Sequence, residues 1–215
     1  MRLEFWLDYL SPLCYKQHKS LEELFKHYRF ENLELLYRSY EMIPFFKPKK
    51  KCTIQRIVSK HHVISKEETK KFATDIKSDF MPVQMTDAHR LSHLAKKENC
   101  AFVYNTNVFK AFYEEGKDIS NHQILKEIAE QSGMNFEMVS EVLSSDQYMA
   151  QVQSNRENAI VKGIFELPHL RIDGKIQMNG FHNVKALLQQ LIRASVQYTK
   201  SDHCEEENCD RKKTQ

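Results

Sequence analysis

Eight residues near the start of the chain decide its fold: Asp8-Tyr9-Leu10-Ser11-Pro12-Leu13-Cys14-Tyr15. They follow an apolar run at residues 3–7 and precede a segment with helical spacing that reaches about Tyr28. A strand that enters a helix through a short Ser-Pro turn points the first helical turn, with its free N–H groups, at whatever lies above Ser11. We therefore predict a functional site at this turn.

The apolar pattern divides the remaining chain into three parts. Alternation at residues 2–8 and again at 33–40, with a helix between them, predicts a βαβ unit with parallel strands. From about Cys52 to Gly163 the spacing is almost entirely helical. Two short strands around an Asp173-Gly174 turn and a final amphipathic helix follow. The order βαβ, helical block, ββα predicts an α/β protein with a thioredoxin-like fold and a large all-helical insertion in its middle.

These patterns also predict where the parts begin and end. We assign residues 1–48 to the N-terminal part of the thioredoxin fold, 49–163 to the helical insertion, 164–198 to the C-terminal part and 199–215 to a charged flexible tail. Within the insertion, Ser120 begins a capping-box pattern and is the predicted N-cap of a helix. Gly116 and Gly133 stand where helices are expected to end.

Composition narrows the classes of function. The formal charge of +3, from 32 basic and 29 acidic residues, gives no reason to expect a nucleic-acid partner. No apolar run approaches the ~20 residues that span a bilayer, so no membrane partner is expected. The first residues lack the apolar region of a signal peptide, which predicts a cytoplasmic protein. Its five cysteines are then expected to be free thiols, Cys14 among them.

Ser11 and Cys14 carry the chemistry expected at the turn. A serine has no low pKa to exploit, so Ser11 is a poor nucleophile, but its hydroxyl either caps the helix or supports the thiolate of a bound thiol such as glutathione. Cys14 lies one turn into the helix, where it is expected to be sheltered and less acidic than a thiol at position 11, and a buried inert thiol is the favoured interpretation. Pro12 and Leu13 complete the turn and are candidate substrate-binding residues.

Three further groups of residues are candidates for a functional role. Leu167 and Pro168 precede a strand, and a cis bond between them would turn the main-chain groups of Leu167 towards the Ser11 turn, ready to bind an extended peptide. In the tail, free thiols are the favoured interpretation of Cys204 and Cys209, whereas an accessory redox pair and a metal site with His203 are the alternatives. His89 and His93 share a helix face, but no Cys or acidic partner completes a site, so no metal centre is predicted.

The motifs resemble those of the DsbA family, in its cytoplasmic FrnE-like branch, over residues 2 to about 195. That branch typically opens with a strand followed by Asp-x-x-Cys-Pro-x-Cys-Tyr, where this chain has Ser11 in place of the first cysteine. The segments 87–91, 109–120 and 163–168 are similar as well. The resemblance implies thiol–disulfide exchange on protein or small-molecule thiols and disulfides. An ordinary two-cysteine cycle is excluded because Ser11 removes the attacking thiol.

Three hypotheses follow for the activity, and whether the chain is an enzyme stays open among them. The first is weak exchange through Cys14, with possible help from Cys204 and Cys209. The second is a glutathione-dependent transferase or isomerase, because Ser-Pro at this turn also resembles kappa-class glutathione transferases and 2-hydroxychromene-2-carboxylate isomerases. The third is a non-catalytic module that binds a peptide or partner beside Pro168. No cofactor is expected, apart from glutathione as a possible co-substrate.

Overall fold

The computed structural model describes residues 1–44, 84–194 and 198–200. Predictions on residues 45–83, and on the tail with Cys204 and Cys209, lie outside these residues. The elements in chain order are β1 (Arg2–Leu7), α1 (Pro12–His27), β2 (Tyr28–Phe30), β3 (Glu34–Ser39), α2 (Thr86–Lys97), α3 (Ala101–Tyr113), α4 (His122–Gln131), α5 (Phe136–Ser144), α6 (Met149–Val161), β4 (His169–Ile172), β5 (Ile176–Asn179), α7 (Val184–Arg193) and β6 (Tyr198–Lys200).

A four-stranded mixed sheet forms the centre of the fold, in the order β3-β1-β4-β5. β1 and β3 are parallel, with Phe5 opposite Tyr37, as the βαβ pattern predicts. β4 runs antiparallel to β1, and the hairpin partner β5 lies at the edge. Asp173 and Gly174 both have positive φ, 46° and 68°, which is the backbone of a tight hairpin turn. The prediction of a thioredoxin-like α/β fold is confirmed.

The described residues between β3 and β4 form five helices, α2 to α6, which belong to the helical insertion. Gly116 and Gly133 follow α3 and α4 with φ of 67° and 78°, so both end helices as predicted. The predicted N-cap at Ser120 is wrong by one residue. Ser120 uses its N–H and hydroxyl to donate to Asp118, whereas Asn121 has extended backbone angles and its side chain caps α4.

The sheet and the insertion share one core. Phe5, Leu7 and Leu170 are buried on β1 and β4, and Leu91 and Phe109 are buried on α2 and α3. Helix α1 packs against α7 on the thioredoxin side and also contacts α3 of the insertion. No helix in the described ranges has both the length and the apolar character needed to cross a bilayer.

A second, two-stranded sheet was not predicted. β2 follows α1 directly and pairs antiparallel with β6, with Tyr28 opposite Lys200 and Phe30 opposite Tyr198. The rings of Tyr28 and Tyr198 meet edge to face, with centroids 5.6 Å apart. This ladder joins the end of the described chain to the C-terminal end of α1.

Candidate functional site

Ser11 stands at the N-cap of α1, where β1 passes into the helix. Its Oγ accepts a hydrogen bond from the N–H of Cys14 at 3.3 Å, and its own N–H donates to the carbonyl of Asp8 at 3.0 Å. Pro12 has no N–H, so Leu13 holds the remaining N–H group of the first turn. Among the described residues, no hydrogen bond to a protein atom outside the helix occupies that group.

Leu167 and Pro168 lie beside this turn. Because β4 is antiparallel to β1 and pairs His169 with Trp6, the start of β4 lies next to the end of β1. The Leu167–Pro168 peptide bond is cis, and both residues are buried. The carbonyl of Pro168 accepts from the N–H of Gly180, whereas the main-chain groups of Leu167 make no hydrogen bond with the described part of the chain. The fold thus brings Ser11 and Leu167 to one place.

Cys14 is a free thiol, and it is completely buried, with 0% of its surface exposed. Burial raises the pKa of the Cys14 thiol from 9.0 to about 12. Hydrogen bonds with the Ser11 hydroxyl and with the main chain of Asp8 oppose that rise in pKa, and the Asp8 charge adds to it. The sheltered thiol predicted from the sequence is confirmed, and it is almost entirely protonated at neutral pH.

The Asp8 carboxylate accepts hydrogen bonds from two backbone segments, the Ser11 turn and the residues that follow β3. Its Oδ1 accepts from the N–H of Leu10 at 3.0 Å, and its Oδ2 accepts from the N–H of Met42 at 2.7 Å. Met42 follows β3, so the carboxylate joins the end of β1 to the end of β3. No role was predicted for Asp8, although an Asp side chain that accepts from the N–H two residues further on is a common feature of turns.

Tyr9 connects the turn to the insertion. Its hydroxyl donates to Asn105 Oδ1 at 2.7 Å, and its carbonyl accepts from the hydroxyl of Tyr113 at 2.9 Å. Both partners belong to α3, about a hundred residues away in sequence. Such separations carry no local signal, so these contacts could not be read from one sequence.

On the other side, Gln17 of α1 holds the segment that follows β5. Its Nε2 donates to the carbonyl of His182 at 3.1 Å, and its Oε1 accepts from the N–H of His182 at 2.8 Å. Gln17 is fully buried and His182 is partly buried, so the two bonds are partly shielded from water. The loop between β5 and α7 is therefore fixed against the helix that carries Ser11.

The buried histidines form separate contacts. His89 stacks on Tyr9 with centroids 4.6 Å apart, and His93 hydrogen-bonds Ser39 at 3.2 Å. Burial lowers the pKa of His93 to about 4 and that of His18 to about 3. Within the described ranges, no group of three or more His, Cys, Asp or Glu side chains could hold a metal ion.

Several solved structures have a similar fold. SCO1869 of Streptomyces coelicolor, described as a probable DsbA oxidoreductase, is 21% identical and has a TM-score of 0.74, with 91% of this chain and 90% of that chain covered. A 2-hydroxychromene-2-carboxylate isomerase is 18% identical, with a TM-score of 0.65 over 91% and 96% of the two chains. The cytosolic disulfide reductase DsbM of Pseudomonas aeruginosa, solved with glutathione, is 14% identical, with a TM-score of 0.64 over 90% and 100%.

A family model extends this similarity from fold to sequence. The model of the DSBA-like thioredoxin domain matches residues 2–192, which include the Ser11 turn, the helical insertion and the hairpin with Pro168. The match spans nearly the whole chain and agrees with the order of elements described above. The chain therefore belongs to the DSBA-like thioredoxin domain family.

Proposed function

We propose that this protein binds a small thiol of the glutathione class at the Ser11 turn and uses its sulfur as the nucleophile of a transferase or isomerase reaction. One observation carries the proposal. Cys14, the only cysteine of the turn, is completely buried, and its thiol has a pKa of about 12. An attacking thiolate at this turn therefore has to come from a ligand.

The groups around the turn suit a bound thiolate. The Ser11 hydroxyl and the N–H of Leu13 are donors at the N-terminal end of a 16-residue helix, where the helix dipole favours negative charge. The main-chain groups of Leu167 are available to pair with the peptide part of such a ligand. The thiol loses its proton to solvent, and its sulfur then attacks an electrophilic carbon of the second substrate. In a transferase reaction the S–C bond forms as the bond to the leaving group breaks, and the leaving group takes the bonding electrons. In an isomerase reaction the sulfur adds across a C=C bond, which re-forms in the other geometry when the thiolate is expelled and regains a proton from solvent.

Two comparisons are consistent with this ligand. The DsbM structure was solved with glutathione, and the isomerase has a similar fold over nearly its whole length. Ser11 is itself completely buried, so the turn has to open when the thiol binds. We expect the binding step to expose the Ser11 hydroxyl and to leave Cys14 covered.

Thiol–disulfide exchange through Cys14 is the alternative activity, and the structure around Cys14 opposes it. That activity requires Cys14 to become exposed and ionised, and both its burial and its raised pKa oppose this. Thiol–disulfide exchange stays a hypothesis for this chain, as does a non-catalytic role in which Leu167 and Pro168 bind a peptide.

Calorimetric titration with glutathione tests the proposal. Glutathione should bind saturably, and Ser11→Ala should weaken binding about tenfold or more, because a hydrogen bond to a charged group contributes about 1.5–3 kcal/mol. S-methylglutathione has no ionisable thiol and should bind wild type and Ser11→Ala equally. Ser20→Ala, which changes another buried serine of α1 about two turns beyond the Ser11 turn, is the matched control and should bind glutathione like the wild type.

Two results would contradict the proposal. One is the absence of glutathione binding, and the other is an equal loss of glutathione and S-methylglutathione binding in Ser11→Ala. If glutathione does not bind and Ser11→Cys gains disulfide reductase activity, the fold is a redox scaffold that has lost its attacking thiol. If glutathione does not bind, Ser11→Cys gains no reductase activity and a partner protein is recovered, the non-catalytic binding role is favoured.

We also propose that the protein works in the reducing cytoplasm. Cys14 and Cys100 are both free thiols in the structure. DsbM, which has a similar fold, is described as cytosolic. Cell fractionation followed by trapping of free thiols tests this, and oxidised cysteines in an extracytoplasmic fraction would contradict it.

A further inference from the structure

The buried carboxylate of Asp8 lies between the end of β1 and the proposed thiolate site at Ser11. Asp8 is only 2% exposed, and its carbonyl accepts the N–H of Ser11. Its negative charge raises the pKa of the Cys14 thiol and of Tyr113. A thiolate at the N-terminus of α1 would be a second negative charge in the same buried region, and like charges in a site oppose each other's ionisation.

Within residues 1–44 and 84–194, His89 is the basic side chain that contacts this carboxylate. Its Nε2 lies 3.5 Å from Asp8 Oδ1, and the structure pairs Asp8 with no lysine or arginine among the described residues. His89 is 1% exposed, and its Nε2 has no hydrogen-bond partner in the part of the chain that the structure describes. A buried polar atom without a partner is costly, so its position against Asp8 requires an explanation.

We propose that His89 is a positioning residue for the Ser11 turn, which donates from Nε2 to Asp8 and so offsets the charge that opposes a thiolate at the start of α1. This inference rests on the proposed function. The contact of 3.5 Å is long for a hydrogen bond in the free protein. It shortens when negative charge arrives at the turn, since hydrogen bonds at active sites are often long before the ligand binds.

The surroundings keep His89 in place for this role. Its ring stacks on Tyr9, whose hydroxyl and carbonyl are both held by α3. Its neighbour one turn along α2, His93, hydrogen-bonds Ser39 and Asn155 rather than Asp8. The helical insertion therefore supplies one specific polar partner to the turn of the thioredoxin part.

The experiment uses Ser11→Cys, which places a titratable sulfur at the turn without any ligand. The rate of alkylation at position 11 is followed against pH by peptide mass spectrometry under reducing conditions, and it reports the pKa of the introduced thiol. Adding His89→Leu should raise that pKa and reduce thiolate at neutral pH about tenfold, because the Asp8 charge is then uncompensated. His89→Gln, which keeps an N–H near the Nε2 position, should recover most of the loss.

Two further variants isolate the cause. Adding Asp8→Asn to His89→Leu should return the thiol pKa to that of Ser11→Cys alone, because the opposing charge is gone. His93→Leu is the matched control, and it should leave the thiol pKa unchanged because His93 does not contact Asp8. Circular dichroism establishes that each variant is folded.

The inference is overturned if His89→Leu leaves the thiol pKa unchanged, or if His89→Leu and His89→Gln raise it equally. Should His89→Leu not fold, nitrogen-15 NMR of Ser11→Cys replaces it: ionisation of the introduced thiol must shift the Nε2–H signal of His89, and a constant signal overturns the inference. None of these readouts involves glutathione. Failure of glutathione binding therefore refutes the proposed function and leaves the thiol pKa test of His89 intact.

Discussion

Cys14 should be almost inert in the native protein. The test treats the protein with iodoacetamide at neutral pH, once in the native state and once in denaturant. Burial raises the pKa of the thiol from 9.0 to about 12, which lowers the fraction of reactive thiolate at neutral pH about a thousandfold. Its complete burial also keeps the reagent from the sulfur until the turn opens. We expect native Cys14 to react at least a thousandfold more slowly than denatured Cys14.

The assay follows each cysteine by mass spectrometry of peptides from quenched time points. Cys100 is the internal reference, because it is a partly exposed free thiol of the same chain. Native alkylation of Cys14 within about tenfold of Cys100 would refute the reasoning. It would also return exchange through Cys14 to the leading hypothesis, since the observation that favours a ligand thiol would be gone.

Three more predictions concern the residues that fix the site. Burial holds the pKa of His18 at about 3 against 6.5 when unfolded, so the stability from neutral His18 is complete above pH 6.5 and is lost as the pH falls towards 3. Between pH 6.5 and 5 the free energy of unfolding, measured with guanidinium, should therefore fall by about 2 kcal/mol more in the wild type than in His18→Gln. Equal decreases in the two proteins would contradict this. Tyr9→Phe removes the buried bond to Asn105 and should cost about 1–2 kcal/mol in urea unfolding with an unchanged m-value, whereas a neutral effect would show that the bond is replaced. Gln17→Ala removes both bonds to His182, so the His182 amide should exchange its hydrogen at least about tenfold faster, and an unchanged rate would mean that other contacts hold the loop.

Local patterns predicted the parts of the fold that local chemistry determines. The alternation before Asp8, the Ser-Pro turn and the helical spacing after it are all short-range signals, and the parallel pairing of β1 with β3 followed from them. Asp173-Gly174 predicted the hairpin because both residues tolerate positive φ. The shelter of Cys14 followed from its place one turn into a helix.

Contacts between residues far apart in the sequence were not predicted. The strands β2 and β6 have three residues each, too few for alternation to show, and they pair across about 170 residues of chain. Asp8 and His89 were both named, but nothing in either neighbourhood indicates that they meet. The shift of the N-cap from Ser120 to Asn121 had a subtler cause, because Asp118 competes for the Ser120 hydroxyl and N–H.

The small β2–β6 ladder limits how far the end of the chain can reach. Lys200 is tied opposite Tyr28, and the 16-residue α1 separates that point from Ser11 by about 24 Å. Four residues beyond Lys200, Cys204 has a tether of at most about 14 Å, which is too short to bring its sulfur to the Ser11 turn of the same molecule. The nine-residue tether of Cys209 spans about 30 Å when fully stretched. Of the two tail cysteines, only Cys209 therefore has enough chain to reach the Ser11 turn of its own molecule, and its fully stretched length exceeds the separation of about 24 Å by about 6 Å.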